Sequence, residues 1–358
     1  MKKIDWYIFK KFIGTFFFIM ALLIAITIVI DFSEKIDTLL DGGIPFKIIV
    51  LEYELGFIPF ISSLLAPFFI LVAVIFFTSQ LADRSEIIAI LNSGTSFYRM
   101  LLPYFYGALF FAVMLYFGNH YIIPKANKRR IHFEDTYINK YRQHASYNFH
   151  RQIKPGVFIY MENYRPSEKN AYRFSLEKFN KGELLYKIKS ERIEWLPKEE
   201  KWRLTNYYVR HLVDSQYSLR KGEQLDTVMP FLPKDFSFGS NQKETMTTPE
   251  LITYINEMKQ GGQNYLEFYE VERYRRTSIP FSIFIMTLIG VSLASQKIRG
   301  GLGWHLVLGI ALSAIYEIIM KFSVTFSTNA SLPAILGVWI PNFIFGGIAI
   351  YLLRRAPK

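Results

Sequence analysis

Six long apolar stretches flank one polar block, three before it and three after, and this arrangement constrains the chain more than any other feature. The stretches are Phe12–Ile30, Leu55–Ser79, Met100–Ile123, Thr277–Gln296, Leu302–Met320 and Leu332–Leu353. Each is close to the ~20 residues that a helix needs to cross ~30 Å of hydrocarbon. Buried helices of a soluble protein seldom run so far without a charged face. The pattern predicts six transmembrane helices with an extramembrane domain inserted midway.

Charge sets the expected orientation. Lys2, Lys3, Lys10 and Lys11 precede the first span; Arg84 and Arg99 join spans two and three. Lys297 and Arg299 join spans four and five, and Arg354, Arg355 and Lys358 close the chain. The links expected on the opposite side are Asp31–Glu54, which is acidic, and Lys321–Ser331. Basic loops stay inside, so both termini are expected in the cytoplasm and the block Pro124–Arg276 outside. Much of the +12 net charge is explained by this topology, and no nucleic-acid motif accompanies it. Cysteine is absent, which excludes a disulfide framework and thiolate chemistry. The first span is too long for a signal core and lacks a small-residue cleavage site. A bacterial inner membrane, with the inserted domain in the periplasm, is the expected setting.

The outer block reads as mostly β. Gly156–Arg165 is rich in aromatic and β-branched residues. Leu184–Trp195, a turn at Pro197–Lys201 and Trp202–Leu212 suggest a hairpin. A compact β-sandwich or open barrel is the natural class. Thr248 suits an N-cap, Pro249 the first helical position and Gly261-Gly262 the stop of a short helix. The charged segment Asn264–Arg276 that follows is expected at the membrane surface, with Arg273, Arg275 and Arg276 near headgroups.

The link Leu81–Gly94 reads as one short helix. Asp83 and Glu86 suit the dipole of its first turn, Ile87, Ile88, Ile90 and Leu91 give an apolar flank, and Gly94 ends it. Composition alone leaves a docking element and an ordinary interfacial helix equally open. Together with Leu251, Tyr254, Gly261 and Pro280 of the tract Thr248–Pro280, this segment resembles the LptF/LptG permeases of the lipopolysaccharide export transporter, over essentially the whole chain. The length and Trp202-Arg203-Leu204 lean toward the LptG branch.

The resemblance implies an ABC transporter in which two such permeases pair over a dimer of an LptB-like ATPase. It implies that lipopolysaccharide is extracted from the inner membrane and passed, through a periplasmic β-jellyroll, to LptC- and LptA-like proteins. It divides the chain into residues 1–123 with a coupling helix at 81–94, a β-jellyroll-like domain at 124–247, a helical re-entry segment at 248–276, and residues 277–358. Asp83, Arg84, Glu86, Ile87, Leu91 and Gly94 would meet the ATPase. Lys35, Lys321, Phe158 and Tyr160 would meet the lipid, which would enter between span one and a partner's span five. Of Phe158 and Tyr160, one is expected to face inward and the other outward.

What is missing agrees with a non-catalytic subunit. No phosphate loop and no H-E-x-x-H motif occurs, so ATP and magnesium would belong to the ATPase and this chain needs no cofactor. The histidines are scattered; His144 with His150 is a weak metal pair against ordinary surface imidazoles, and no metal site is expected. Glu317 stands four residues before Lys321, where a helix makes them neighbours, and a local ion pair competes with lipid-phosphate contact. Lys35 carries the same ambiguity, because Asp31 is the first charged position after span one. Two other classes remain: a secondary transporter, which needs broken helices near the midplane, and a membrane-anchored periplasmic scaffold.

Overall fold

In the computed structural model, the described residues are 2–41, 43–138, 146–165, 168–180, 182–213, 216–233, 242–260, 266–296, 301–330 and 332–356. Lys297, Arg299, Lys358, Ser331, His144, Asn264 and the Gly261-Gly262 stop lie outside them. The chain forms two compact units: Met1–Phe133 with Glu244–Thr248 and Glu267–Lys358, and Glu134–Lys243 with Pro249–Leu266.

The first unit is helical, and six of its helices are long and apolar enough to span a membrane. Helix α1, Lys3–Asp41, has 39 residues and is therefore about 58 Å long, nearly twice the hydrocarbon thickness. A three-residue helix α2, Phe46–Ile48, and a π-helical turn, Ile49–Glu54, lead into α3, Leu55–Leu64, and α4, Ala66–Asp83. The expected second span is thus broken at Leu65, whose ψ is 7°. Pro67 fits the break: its ring disfavours helical backbone at the residue before it, and it sits in the first turn of α4, where its missing N–H costs nothing. Helix α5 is Glu86–Asn92, and α6, Phe97–Phe117, begins with Ser96 capping Arg99 N–H. A π-helical turn, Gly118–Ile122, then joins α6 to α7, Ile123–Phe133. The expected domain boundary at Pro124 therefore lies inside a helix, because Pro124 sits in the first turn of α7, where its missing N–H costs nothing.

Helices α9, Leu266–Ala294, α10, Gly301–Asn329, and α11, Ala334–Arg355, complete the unit. In α4 72% of the most apolar window is buried and in α9 67%, against 11% in α1 and 28% in α10. Spans two and four are therefore the centre of the bundle, and spans one and five its flanks. Helix α4 packs against α1 and α10, α1 against α6, and α10 against α11. Phe12, Phe69, Phe77, Tyr104 and Phe111 fill the centre. Gly290 of α9 lies against Val74 of α4, where an added Cβ would stand 2.8 Å from Cγ1, so the two helices meet at van der Waals distance.

The inserted domain is built on antiparallel β structure. Its described strands form one six-stranded sheet in sequential order: β1 Ser146–Lys154, β2 Val157–Arg165, β3 Asn170–Asn180, β4 Glu183–Leu196, β5 Lys201–Val213 and β6 Gln216–Thr227. The strands expected at 156–165, 184–195 and 202–212 all form. One face carries the core: Ile159, Met161, Phe174, Ile188 and Leu204 are buried with Trp202 and Phe231. The Trp202 indole N–H donates to the Phe231 carbonyl at 3.0 Å, so the largest core side chain leaves no polar atom unpaired. Arg173 and Asn206 have φ near +50°, and there the strands change which side they bury, from Phe174 and Leu176 to Ala171 in β3. Helix α8, Thr248–Gln260, starts where its capping signals place it and buries Leu251, Ile255 and Met258 along one stripe.

Candidate functional site

Three places collect the residues with functional promise, two in the helical unit and one in the β unit. The first lies where α4, α5 and the start of α6 meet the start of α1. The chain does not make one helix over 81–94. Asp83 ends α4, and Ser85 takes a left-handed φ of 60° that stops the helix and aims α5 in a new direction. Asp83 is therefore in the last turn of a helix, where the dipole opposes a carboxylate, and not in the first turn as expected. Glu86 does open α5. Ile87 is 1% exposed and roots the short helix in the bundle core, while Asp83, Arg84, Ile88 and Gly94 are exposed. Leu91 is half-buried against the same core, and Gly94 ends the turn with φ +79°. Glu86 Oε2 accepts a 3.0 Å hydrogen bond from the Tyr7 hydroxyl. Beside it, Arg99 grips buried Asp5 with two bonds of 2.9 and 2.7 Å, tying α6 to α1. Sequence reasoning missed both ties, because contacts across 79 and 94 residues leave no local signal.

The second place is at the opposite end of the helices. Lys35 ion-pairs with Asp31 one turn back on α1 at 2.7 Å and also bonds the Tyr53 hydroxyl, which itself donates to Asp31 at 2.7 Å. The Lys35 ammonium stands 4.5 Å from the Tyr53 ring centroid. Asp31, Lys35 and Tyr53 thus form a closed triad, and Lys35 spends its charge inside it. Lys321 is the contrast. The helix expected to end at Met320 runs on to Asn329, so Lys321 lies within α10 and not in a link. It is exposed, and it makes no ion pair with a described residue. The local pair with Glu317 does not form, although Glu317 lies within electrostatic reach of both Lys321 and Arg275.

The expected surface segment before span four also differs. From Leu266 the helix is continuous with the span. Arg276 is 3% exposed and bonds Glu272 at 3.1 Å, the Met246 carbonyl at 2.8 Å and the Thr248 hydroxyl at 3.1 Å. Arg275 pairs with the same Glu272 at 2.9 Å. These arginines are held by the protein because a continuous helix turns them toward Glu272, one turn away.

The third place is the face of the sheet opposite the core, which forms an open groove of about 1040 Å³. Phe158 and Tyr160 both line it. The expected split, one in and one out, is wrong: positions two apart on a strand share a face. Tyr160 packs against His150 of β1 with ring centroids 4.4 Å apart and planes tilted by 40°. His144, the other half of the considered metal pair, is not a described residue.

Six helices long and apolar enough to span a membrane, divided three and three by an inserted β domain, are the architecture to compare with known proteins. The family described as lipopolysaccharide export system permease LptF/LptG matches residues 6–355. The chain belongs to the LptF/LptG family. The lipopolysaccharide export system permease protein LptG of Haemophilus influenzae is 22% identical over 366 residues, spanning 98% of both chains. The protein of the same name in Escherichia coli K12 is 19% identical over 363 residues, again 98% of each. Both relatives are LptG proteins, the branch toward which Trp202-Arg203-Leu204 points. In this LptF/LptG chain Trp202 is a core residue of the β unit, so that signal reports packing and not a ligand contact.

Proposed function

We propose that the chain is the transmembrane, non-catalytic half of an ATP-driven exporter of lipopolysaccharide, set in the inner membrane with both termini cytoplasmic and the β domain periplasmic. A separate LptB-like ATPase dimer would bind ATP and magnesium, a second LptF/LptG-like permease would pair with this one, and LptC- and LptA-like proteins would receive the lipid. The observation that carries the reading is the short helix α5. It projects between spans two and three, is rooted by Ile87, and holds Glu86 against Tyr7 of span one. A push on α5 therefore has a direct path to α1, the least buried span and so the one whose flank is open to lipid or to a partner. Exposed apolar flanks on α1 and α10 suit a lateral entry between span one of one permease and span five of the other.

The competing class, a secondary transporter, needs discontinuous helices near the midplane with polar groups facing a site. The break at Leu65 falls at the start of the apolar run of α4 and not in its middle. The deciding experiment is purification from the native membrane followed by ATPase assay. A stable complex whose hydrolysis rises with lipopolysaccharide supports the reading, and transport that follows an ion gradient without an ATPase overturns it.

A further inference from the structure

The groove on the β sheet has an organisation that the export reading does not use. Backbone register places His150, Tyr160, Ser175, Lys189, Tyr208 and Lys221 directly opposite one another across all six strands. Directly paired residues share a face, so these six side chains form one transverse row along the groove floor. No carboxylate interrupts the row. Lys189, Tyr208, His150 and Lys221 are exposed. The groove's other cations are engaged: Lys187 bonds Glu177, and Arg173 bonds Glu162 at 2.7 Å. Glu191 is engaged as well, by Asn206 at 2.7 Å. Glu223 stands two residues from Lys221 on the same strand, beside the row, and makes no ion pair with a described residue. Lys189 and Lys221 make no ion pair with a described residue and stand two strands apart, roughly 10 Å. That is too far to clasp one phosphate, so each would hold a separate acidic group of an extended ligand.

We infer that this face of the β domain binds an anionic, phosphorylated oligosaccharide through Lys189 and Lys221, with Tyr160 and Tyr208 packing on sugar rings. The inference rests on the export reading and names the part of the lipid concerned. The chemistry separates sugar from acyl chain. Apart from the aromatic faces, the row offers hydroxyl, imidazole and ammonium groups, which suit hydroxyls and phosphates and would be poorly solvated by hydrocarbon. The apolar side chains of the same sheet are on its other face, where Ile159, Phe174, Leu204, Trp202 and Phe231 pack on one another among the described residues. Aromatic rings flanking a cation are a common way to hold flat, hydroxyl-rich and charged ligands, since each ring offers apolar area at small entropic cost.

The test uses the full-length permease, with whatever subunits copurify, in nanodiscs. Isothermal titration is done with a fully deacylated lipopolysaccharide oligosaccharide that keeps its phosphates, with the same oligosaccharide after phosphatase treatment, and with inorganic phosphate as competitor. The parent should bind the phosphorylated form saturably and more weakly as salt rises. The Lys189→Gln/Lys221→Gln variant should lose about tenfold in affinity, the scale of one or two charge-assisted hydrogen bonds. The dephosphorylated form should bind at least as poorly. Both lysines are surface residues, and circular dichroism checks that the variant is folded. Absence of binding to the parent, equal binding by the double variant, or displacement by inorganic phosphate at matching concentration would each overturn the inference. Lipopolysaccharide-stimulated ATPase activity, measured on the same samples, keeps the two readings apart: if it persists while the oligosaccharide fails to bind, export stands and the groove assignment falls.

Discussion

The hydroxyl of Tyr7, in the second turn of α1, donates a 3.0 Å hydrogen bond to Oε2 of Glu86 at the start of α5. The two residues are far apart in sequence, and their bond ties the element proposed to meet the ATPase to the span proposed to form a lipid gate. Removing the carboxylate removes both roles, so Glu86→Ala should lower ATPase copurification or uncouple hydrolysis from export. Glu86→Lys should do so more severely, because a like charge then faces any arginine-bearing groove. Tyr7→Phe deletes two exposed hydrogen bonds, the one donated to Glu86 and one accepted from the Lys11 ammonium at 3.2 Å, each worth about 1 kcal/mol, so copurification should hold while coupled export falls. Pull-down yield and ATP consumed per lipid delivered check these outcomes, and normal values in both Glu86 variants would remove α5 from the mechanism.

The two lysines considered for lipid phosphate should separate cleanly. Lys35 belongs to a triad with Asp31 and Tyr53. Lys35→Gln leaves Asp31 partly unpaired and should lower thermal stability in detergent by about 1–2 kcal/mol. Lys321 is exposed and has no described ionic partner, so Lys321→Gln should leave stability within about 0.5 kcal/mol. The same variant should instead reduce lipopolysaccharide stimulation of the ATPase, most at low ionic strength. Stability loss in the Lys321 variant but not in the Lys35 variant would reverse these roles.

Hydropathy made the six spans legible because a membrane helix must be apolar along its length, whatever it packs against. Its ends were not legible in the same way. Lys3–Asp41 and Gly301–Asn329 remain helical beyond the apolar run, since polar residues continue a helix in water as readily as they end one, and this moved Lys321 from a link into α10. The break at Ser85 carries no glycine or proline to announce it. Strands with dense aromatic and β-branched residues were read closely, and the shared face of Phe158 and Tyr160 was available from strand periodicity alone. The cross-strand row from His150 to Lys221 was beyond reach, because it depends on the register of five pairings and each shift of one residue would turn a strand's side chains over. The same limit hid Arg99 on Asp5, a long-range bond between residues that each look like ordinary interfacial charges.

Gly290 predicts a packing effect. An added methyl would stand 2.8 Å from Val74 Cγ1 and 3.0 Å from Val74 Cβ, in the most buried pair of spans. Gly290→Ala should destabilise the bundle by about 1–3 kcal/mol through overpacking, despite alanine's better helix propensity. Val74→Ala should cost stability by itself through a cavity. The double variant should be more stable than the sum of the two single losses, because each change makes room for the other. Additive losses in a double-mutant cycle, followed by thermal unfolding in detergent, would show that α4 and α9 are not in contact at this level.

Glu54 predicts a pH dependence. It ends the π-helical turn before α3, outside the spans, is 8% exposed, and its Oε2 has no hydrogen-bond partner among the described residues. Burial, reinforced by the charge of Asp31 and only partly offset by Lys35, raises its carboxyl above the ordinary value of 4.5. The sign follows from linkage. Below 4.5 the group is protonated in both the folded and the unfolded chain and costs nothing. As pH rises past that value the unfolded chain loses its proton first, so folding is disfavoured progressively until the folded group also ionises, and the penalty is constant above. Glu54→Gln removes the charge and should therefore raise the melting temperature at pH 7 to 8 while leaving it near the parent's at pH 4. Melting curves across that range check the window: a stabilisation of equal size at both ends would mean that Glu54 acts through shape or hydrogen bonding, and a loss of stability at neutral pH would mean that its carboxylate is needed by the Asp31, Lys35 and Tyr53 cluster.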